Sequence, residues 1–192
     1  DGKNLLIPSL QVGNYLTANG KVDLAFPNNS PNQLPTGIAG INLDLISRNV
    51  NISRLASLSN VIPPQATGLL NFRGNLSGAI DKLKIAGALQ LDDVNLASLG
   101  AGLAKRGIVA PSRGSLDFNG SVSGYLSDPR LVGNLRIASL KVNQVELDNL
   151  TFNGVLDGIS QVPQATGDLI LAGLRVDKLA FDPRLAGRVN FN

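Results

Sequence analysis

The chain is 192 residues long with a net charge of +3, 43% hydrophobic residues, and no cysteine, histidine, methionine or tryptophan. Lack of cysteine excludes disulfides and thiolate metal sites, and lack of histidine removes the usual base that activates a serine nucleophile. With no Lys or Arg stripe and few aromatics it carries no nucleic-acid footprint, and no stretch reaches the ~20 apolar residues of a membrane-spanning helix.

Residues 1–40 are the least regular part. Pro27 to Gly37 is rich in Asn and Pro, with Leu34 as its one large apolar residue, and reads as a surface loop. Apolar alternation then begins: Ile41, Leu43 and Leu45, followed after a phase change by Val50 and Ile52. A period of two marks a β-strand with one apolar and one polar face. Ser53 to Asn60 breaks that rhythm and reads as a short helix, with Ser53 as a candidate N-cap.

The segment Gly68 to Leu91 is then written again, without a gap, from Gly114 to Ile137. In the first copy Leu70, Phe72, Leu76 and Ile80 are apolar on even positions, and Leu83, Ile85, Leu89 and Leu91 on odd ones. In the second, Leu116, Phe118, Val122 and Leu126 precede Leu131, Leu135 and Ile137. Each copy predicts two antiparallel strands joined by a turn, at Asp81-Lys82 and at Ser127-Asp128-Pro129-Arg130 respectively. Beyond each pair the apolar phase slips by one residue, to Val94 and Leu96 and to Leu140 and Val142. A slip keeps the apolar side inward only through a bulge, which predicts bulges at Asp92-Asp93 and Ala138-Ser139. Asp92 and Asp93 could be imagined as an acid–base pair, but neighbours on a strand point to opposite faces, which favours the bulge.

Ala97 to Gly107 predicts a second short helix, capped by Ser98, stopped by Gly107, with Lys105-Arg106 at its end. Asn143-Gln144 predicts a turn, and a third slip separates Val145 and Leu147 from Leu150 and Phe152. Pro64 to Gly68 recurs letter for letter as Pro163 to Gly167, leading into Leu169 and Leu171. Asp182-Pro183-Arg184 then precedes Leu185, Val189 and Phe191. The expected units run at approximately 22–67, 68–113, 114–165 and 166–192, and the chain reads as a piece of a longer repeat-built protein whose membrane anchor lies elsewhere. Glycines on the apolar face, such as Gly74, Gly78, Gly120 and Gly124, would let long strands bend and would leave open space. The expected fold is all-β: a long, strongly curved antiparallel sheet forming an open trough, with one or two short helices.

Such a face must be covered by the sheet itself, by a neighbouring repeat or by an apolar ligand. Its aliphatic and phenyl groups are the candidate lining for a hydrocarbon chain: the apolar residues named above in the two copies, with Leu140, Val142, Phe152, Leu169, Leu171, Leu185, Val189 and Phe191. Each methylene removed from water is worth about 0.8 kcal/mol. No catalytic set, metal cluster or cofactor motif is evident, so the expectation is a non-enzyme without a cofactor.

The pattern G-x-L-x-F-x-G-x-[LV]-S-G-x-[IL], a turn, then [IL]-x-G-x-L-x-[IL] resembles the TamB family within the AsmA-like bridge proteins. It is carried by Gly68 to Leu91 and Gly114 to Ile137, echoed at Gly167 to Phe191, with Asp128-Pro129-Arg130-Leu131 and Asp182-Pro183-Arg184-Leu185 similar to the family's turn. The resemblance implies a taco-like periplasmic β-structure, anchored in the inner membrane, that moves phospholipid toward the outer membrane and works with a barrel of the TamA or BamA kind. Plastid relatives act at the envelope. The competing expectation is a rigid β-scaffold that binds client strands or such a barrel along its edge during outer-membrane protein assembly.

Overall fold

The structure is a computed structural model that describes residues 4–27, 34–55, 62–104, 107, 109–158 and 164–176, with 186–191 described as backbone. Among these the chain forms β1 (Asn4–Val12), β2 (Leu16–Ala25), β3 (Gly37–Asn51), β4 (Leu69–Ala79), β5 (Lys84–Asn95) and β6 (Arg113–Tyr125). β7 (Asp128–Val142), β8 (Val145–Asp157), β9 (Gln164–Ala172), β10 (Arg175–Val176) and β11 (Ala186–Phe191) follow, with one short helix, α1 (Gly100–Ala104). The strands make one open antiparallel sheet in which each pairs with the next in sequence from β1 to β9, and β11 adds to β9. β10 prolongs β9 along β8, matching Arg175 to Glu146 and Val176 to Val145. The path ends at β1 and β11 without closing.

The bulges fall where the phase slips. Asp93 has φ +52° and lies where the pairing of β5 with β6 shifts, between Leu91 and Val94. Ser139 has φ +53°, and Asn49 has φ +50° in the upstream strand. The extra residue's N–H has no ladder partner, and side chains supply one: Asn49 N–H donates to Asn71 Oδ1 at 2.8 Å and Asp93 N–H to Asp117 Oδ1 at 2.9 Å. These acceptors stand at matching positions of the two copies. The third slip, in β8, lies opposite the bulge of β7, so the register holds across it from Ala138↔Asn149 to Leu140↔Leu147.

Several local expectations are corrected. The turn between β6 and β7 is Leu126-Ser127, and Asp128, Pro129 and Arg130 already belong to β7, where Pro129 pairs with Gly124. Proline is tolerated at a strand's first residues, and the bend is taken by Gly124 at φ +100°. The first helical segment is a 3-10 turn, Ile52–Leu55; residues 56–61 lie outside the described set. The second is a 3-10 turn, Ala97–Leu99, running into α1. Neither Ser53 nor Ser98 caps. Asn51 Oδ1 accepts from Ser53 N–H, and Asn95 Oδ1 accepts from Ala97 and Ser98 N–H, because an Asn at a strand end can turn its carbonyl onto the next amides. Gly107, at φ +72°, donates its N–H to Ala104 O as the stop requires.

The turns Asn143-Gln144 and Ile80–Lys82 stand as expected, as does the strand through Asn119-Gly120. The expected turn at Asp182-Pro183-Arg184 and the basic pair Lys105-Arg106 lie outside the described residues.

Candidate functional site: an apolar trough

Pairing stacks the apolar positions into rows that cross the sheet. One row runs Leu70, Leu91, Phe118, Leu135, Phe152, Leu169 from β4 to β9, with Val189 of β11 next in register. Beside it run Phe72, Leu89, Gly120, Gly133, Gly154 and Gly167, with Phe191 next. A third row is Gly74, Gly87, Val122, Leu131, Leu156 and Ala165. Toward one rim, Leu76 pairs with Ile85; toward the other, Val94, Leu116, Ile137, Leu150 and Leu171 align, followed by Leu140 with Leu147 and Val142 with Val145.

The glycines beside the phenylalanine rings do not leave gaps, whereas at Gly124 nothing lies nearer than 3.6 Å to an added Cβ. A Cβ on Gly74 or Gly87 would meet the Phe72 ring at 2.7 or 2.9 Å, and one on Gly120 or Gly154 would meet the Phe118 or Phe152 ring at 2.9 or 2.8 Å. Each phenylalanine of the Phe-x-Gly triplets therefore lies along its own strand and roofs the glycine two residues on. The rings fill the space expected to be open, and the arrangement buries Phe72, Phe118 and Phe152 on a single-layered sheet.

On the apolar side a hollow of about 370 Å³ is lined by residues of five consecutive strands, among them Leu91, Phe118, Leu131, Leu135, Leu156 and Ala165. Its size is at the lower end of the range for small-ligand pockets, and Asp157 and Gln164 alone bring polar groups to its edge. Leu131, Leu135, Leu91 and Leu89 are half-buried, each with one flank uncovered.

One rim of the apolar side is covered by other parts of the chain. The connections after β3 and β5 fold over the apolar side there, and Ile52, Ala66 and Val94 form a buried cluster against which Ile62, Leu99, Leu70, Leu91 and Leu116 pack. Ile80 and Leu126 sit in the turns of the opposite rim, 47% and 50% exposed, and belong to its lip rather than its floor. Leu83 precedes β5, and its carbonyl accepts the Leu126 N–H at 2.8 Å. Leu185 lies outside the described residues, and Val189 and Phe191 are placed by backbone register. Leu147, Leu150 and Leu156 also join the face. Alternation through Phe152-Asn153-Gly154 is the signal that locates Leu156.

The opposite face is polar. Glu146 is held there by Lys141 at 2.7 Å, Arg113 at 3.3 Å and Arg175 at 3.8 Å, and Arg175 also pairs with Asp148. The Lys141 hydrogen bond, helped by the nearby guanidinium charges, holds the Glu146 carboxyl below its ordinary pKa. Among the described residues no group of acids, histidines or cysteines could hold a metal, and no helix is long and apolar enough to cross a membrane. No protein-family model, curated protein or solved structure matches the chain.

Proposed function

We propose that this sheet is a segment of a periplasmic bridge protein of the TamB and AsmA-like kind, whose trough carries phospholipid acyl chains between inner and outer membranes and so supports outer-membrane biogenesis. In a plant relative the place would be the plastid envelope. The observation that supports this is the continuity of the apolar face: three rows cross from β4 to β9 without a polar side chain. Such a surface shields hydrocarbon from water, at about 0.8 kcal/mol per methylene, and leaves a headgroup in solvent.

The test is native mass spectrometry and lipid extraction of the purified chain, with photocrosslinking in cells from Leu135 on the apolar face and Asn134 on the polar one. Phospholipid on Leu135 and not on Asn134 is expected. Equal labelling at both sites, or a lipid-free protein that takes none up, overturns the reading.

The scaffold alternative draws on a different feature. Edge strand β1 exposes Leu5, Leu6, Leu10 and Val12, a surface to which an alternating client strand or a barrel edge could add. Leu135→Glu separates the two readings, because it charges the hollow without touching β1. A conduit loses lipid, whereas a scaffold keeps its strand binding. Half-buried Leu135 is the better probe than Phe72, Phe118 or Val122, whose burial ties them to folding.

A further inference from the structure

Most charged groups on the polar face have partners: Arg130 pairs with Asp157 at 3.2 Å, Lys21 with Asp23 at 3.4 Å, and Glu146 with its three cations. Arg48 and Arg73 differ. Among the described residues neither guanidinium has an ion-pair or hydrogen-bond partner. They belong to adjacent strands and one face, since Arg73 pairs with Ile46 and Arg48 is two residues further along β3. Diagonal positions of this kind lie roughly 7–8 Å apart, and like charges so placed repel.

Between them is a hollow of about 460 Å³, lined by both arginines, by the amides of Asn71, Gln90 and Asn119, and floored by the small side chain of Ala88. No carboxylate lines it. The acids of the flanking rungs bond amides rather than either arginine: Asp92, beside the hollow, accepts from its lining residues Asn71 at 3.3 Å and Gln90 at 2.9 Å, and Asp44 accepts from Asn75 at 3.1 Å. Arg48 immediately precedes the bulge residue Asn49, and bulges re-aim the side chains beside them.

The repeats show that the fold does not require this pair. At the position before the bulge residue, where the β3–β4 pair has Arg48, the β5–β6 and β7–β8 pairs have Asp92 and Ala138. At the centre of the Phe-x-Gly triplet, where the first pair has Arg73, the others have Asn119 and Asn153. Bulge and triplet form equally well with an acid, an alanine or an amide. Two unneutralised arginines at both positions of one strand pair therefore need a reason beyond folding.

We propose that Arg48 and Arg73 form a binding site for a phosphate group on the polar face, independent of the apolar one. Two guanidinium forks facing one hollow call for an anion with more than two acceptor oxygens, and a tetrahedral phosphate meets both where a carboxylate engages one. The phosphate could be free in solution or part of a lipid headgroup, and the experiment distinguishes the two.

The whole chain is titrated with inorganic phosphate at constant ionic strength while the Nε–H signals of its arginines are followed by NMR. Saturable shifts of Arg48 and Arg73 are expected. Arg48→Gln or Arg73→Gln should weaken binding about tenfold, the scale of a lost charge-assisted hydrogen bond. Arg136→Gln, on the same face but bonded to Asn149, should leave it unchanged. Sedimentation with phosphatidylcholine vesicles, with and without phosphatidylglycerol, gives the source. Arginine-dependent binding to the anionic vesicles assigns a headgroup, and saturable phosphate binding without vesicle binding assigns a soluble phosphate. Non-saturating shifts, or an unchanged titration in the Arg48→Gln, Arg73→Gln double variant, overturn the proposal. The titration of the unaltered chain decides by itself should a variant fail to fold.

Discussion

At the scale of single residues, the Phe-x-Gly triplet explains how one layer of sheet buries aromatic rings. A glycine two residues on lets the ring lie flat, and the backbone of the next strand closes beneath it. A Cβ on Gly120 would stand 2.2 Å from the Val132 carbonyl oxygen as well as against the Phe118 ring, so rigid backbone as well as the ring opposes it. Gly120→Ala should lower the unfolding free energy by about 1–3 kcal/mol, the usual cost of overpacking, as read from urea denaturation. Gly37→Ala, where nothing lies within 4 Å of the added carbon, should stay within about 0.5 kcal/mol of the parent.

At the scale of elements, strand ends are organised by asparagines rather than by the serines that sequence rules favour. Val50-Asn51-Ile52 and Val94-Asn95-Leu96 each finish a bulged strand, and the Asn carbonyl captures the first amides of the 3-10 turn that follows. Ser98 instead ties two rim connections together. Its Oγ donates to Asn95 O at 2.6 Å and accepts the Thr67 N–H at 3.0 Å. Asn95→Ala should cost about 1 kcal/mol, the typical loss of such a cap, and should loosen the rim cover over Val94 and Leu116. The check is chemical denaturation with amide exchange at Ala97 and Ser98, which should accelerate ahead of the strands.

At the scale of the molecule, the sheet is a meander in which strands meet their sequence neighbours. Nearly all stabilising contacts are local to adjacent strands, as in repeat arrays. Central strands have two partners and β1 has one, with eight of its nine residues exposed. Hydrogen exchange should therefore be slowest in β5 to β7 and fastest in β1, where few buried contacts hold the backbone bonds. Equal protection across all strands would indicate that another chain covers the edge.

Strand phase, the bulges at Asp93 and Ser139 and the grouping of Leu70, Phe118, Leu135 and Phe152 on one face were legible in the sequence. Alternation and bulging are local, and a period of two leaves each side chain one choice of side. The rings over the glycines, the rim cover and the meeting of Arg48 with Arg73 depend on how neighbouring strands and connections pack, which local pattern does not specify. The pentapeptide Pro-Gln-Ala-Thr-Gly makes the distinction concrete. At 64–68 it lies in a connection with Ala66 almost wholly buried, while its second copy places Gln164 to Gly167 in β9 with Ala165 exposed. Identical letters have identical local preferences. What differs is which neighbour their amides reach, Thr67 bonding Asn95 and Ser98 while Gly167 pairs with Gly154, and only tertiary contacts supply that neighbour.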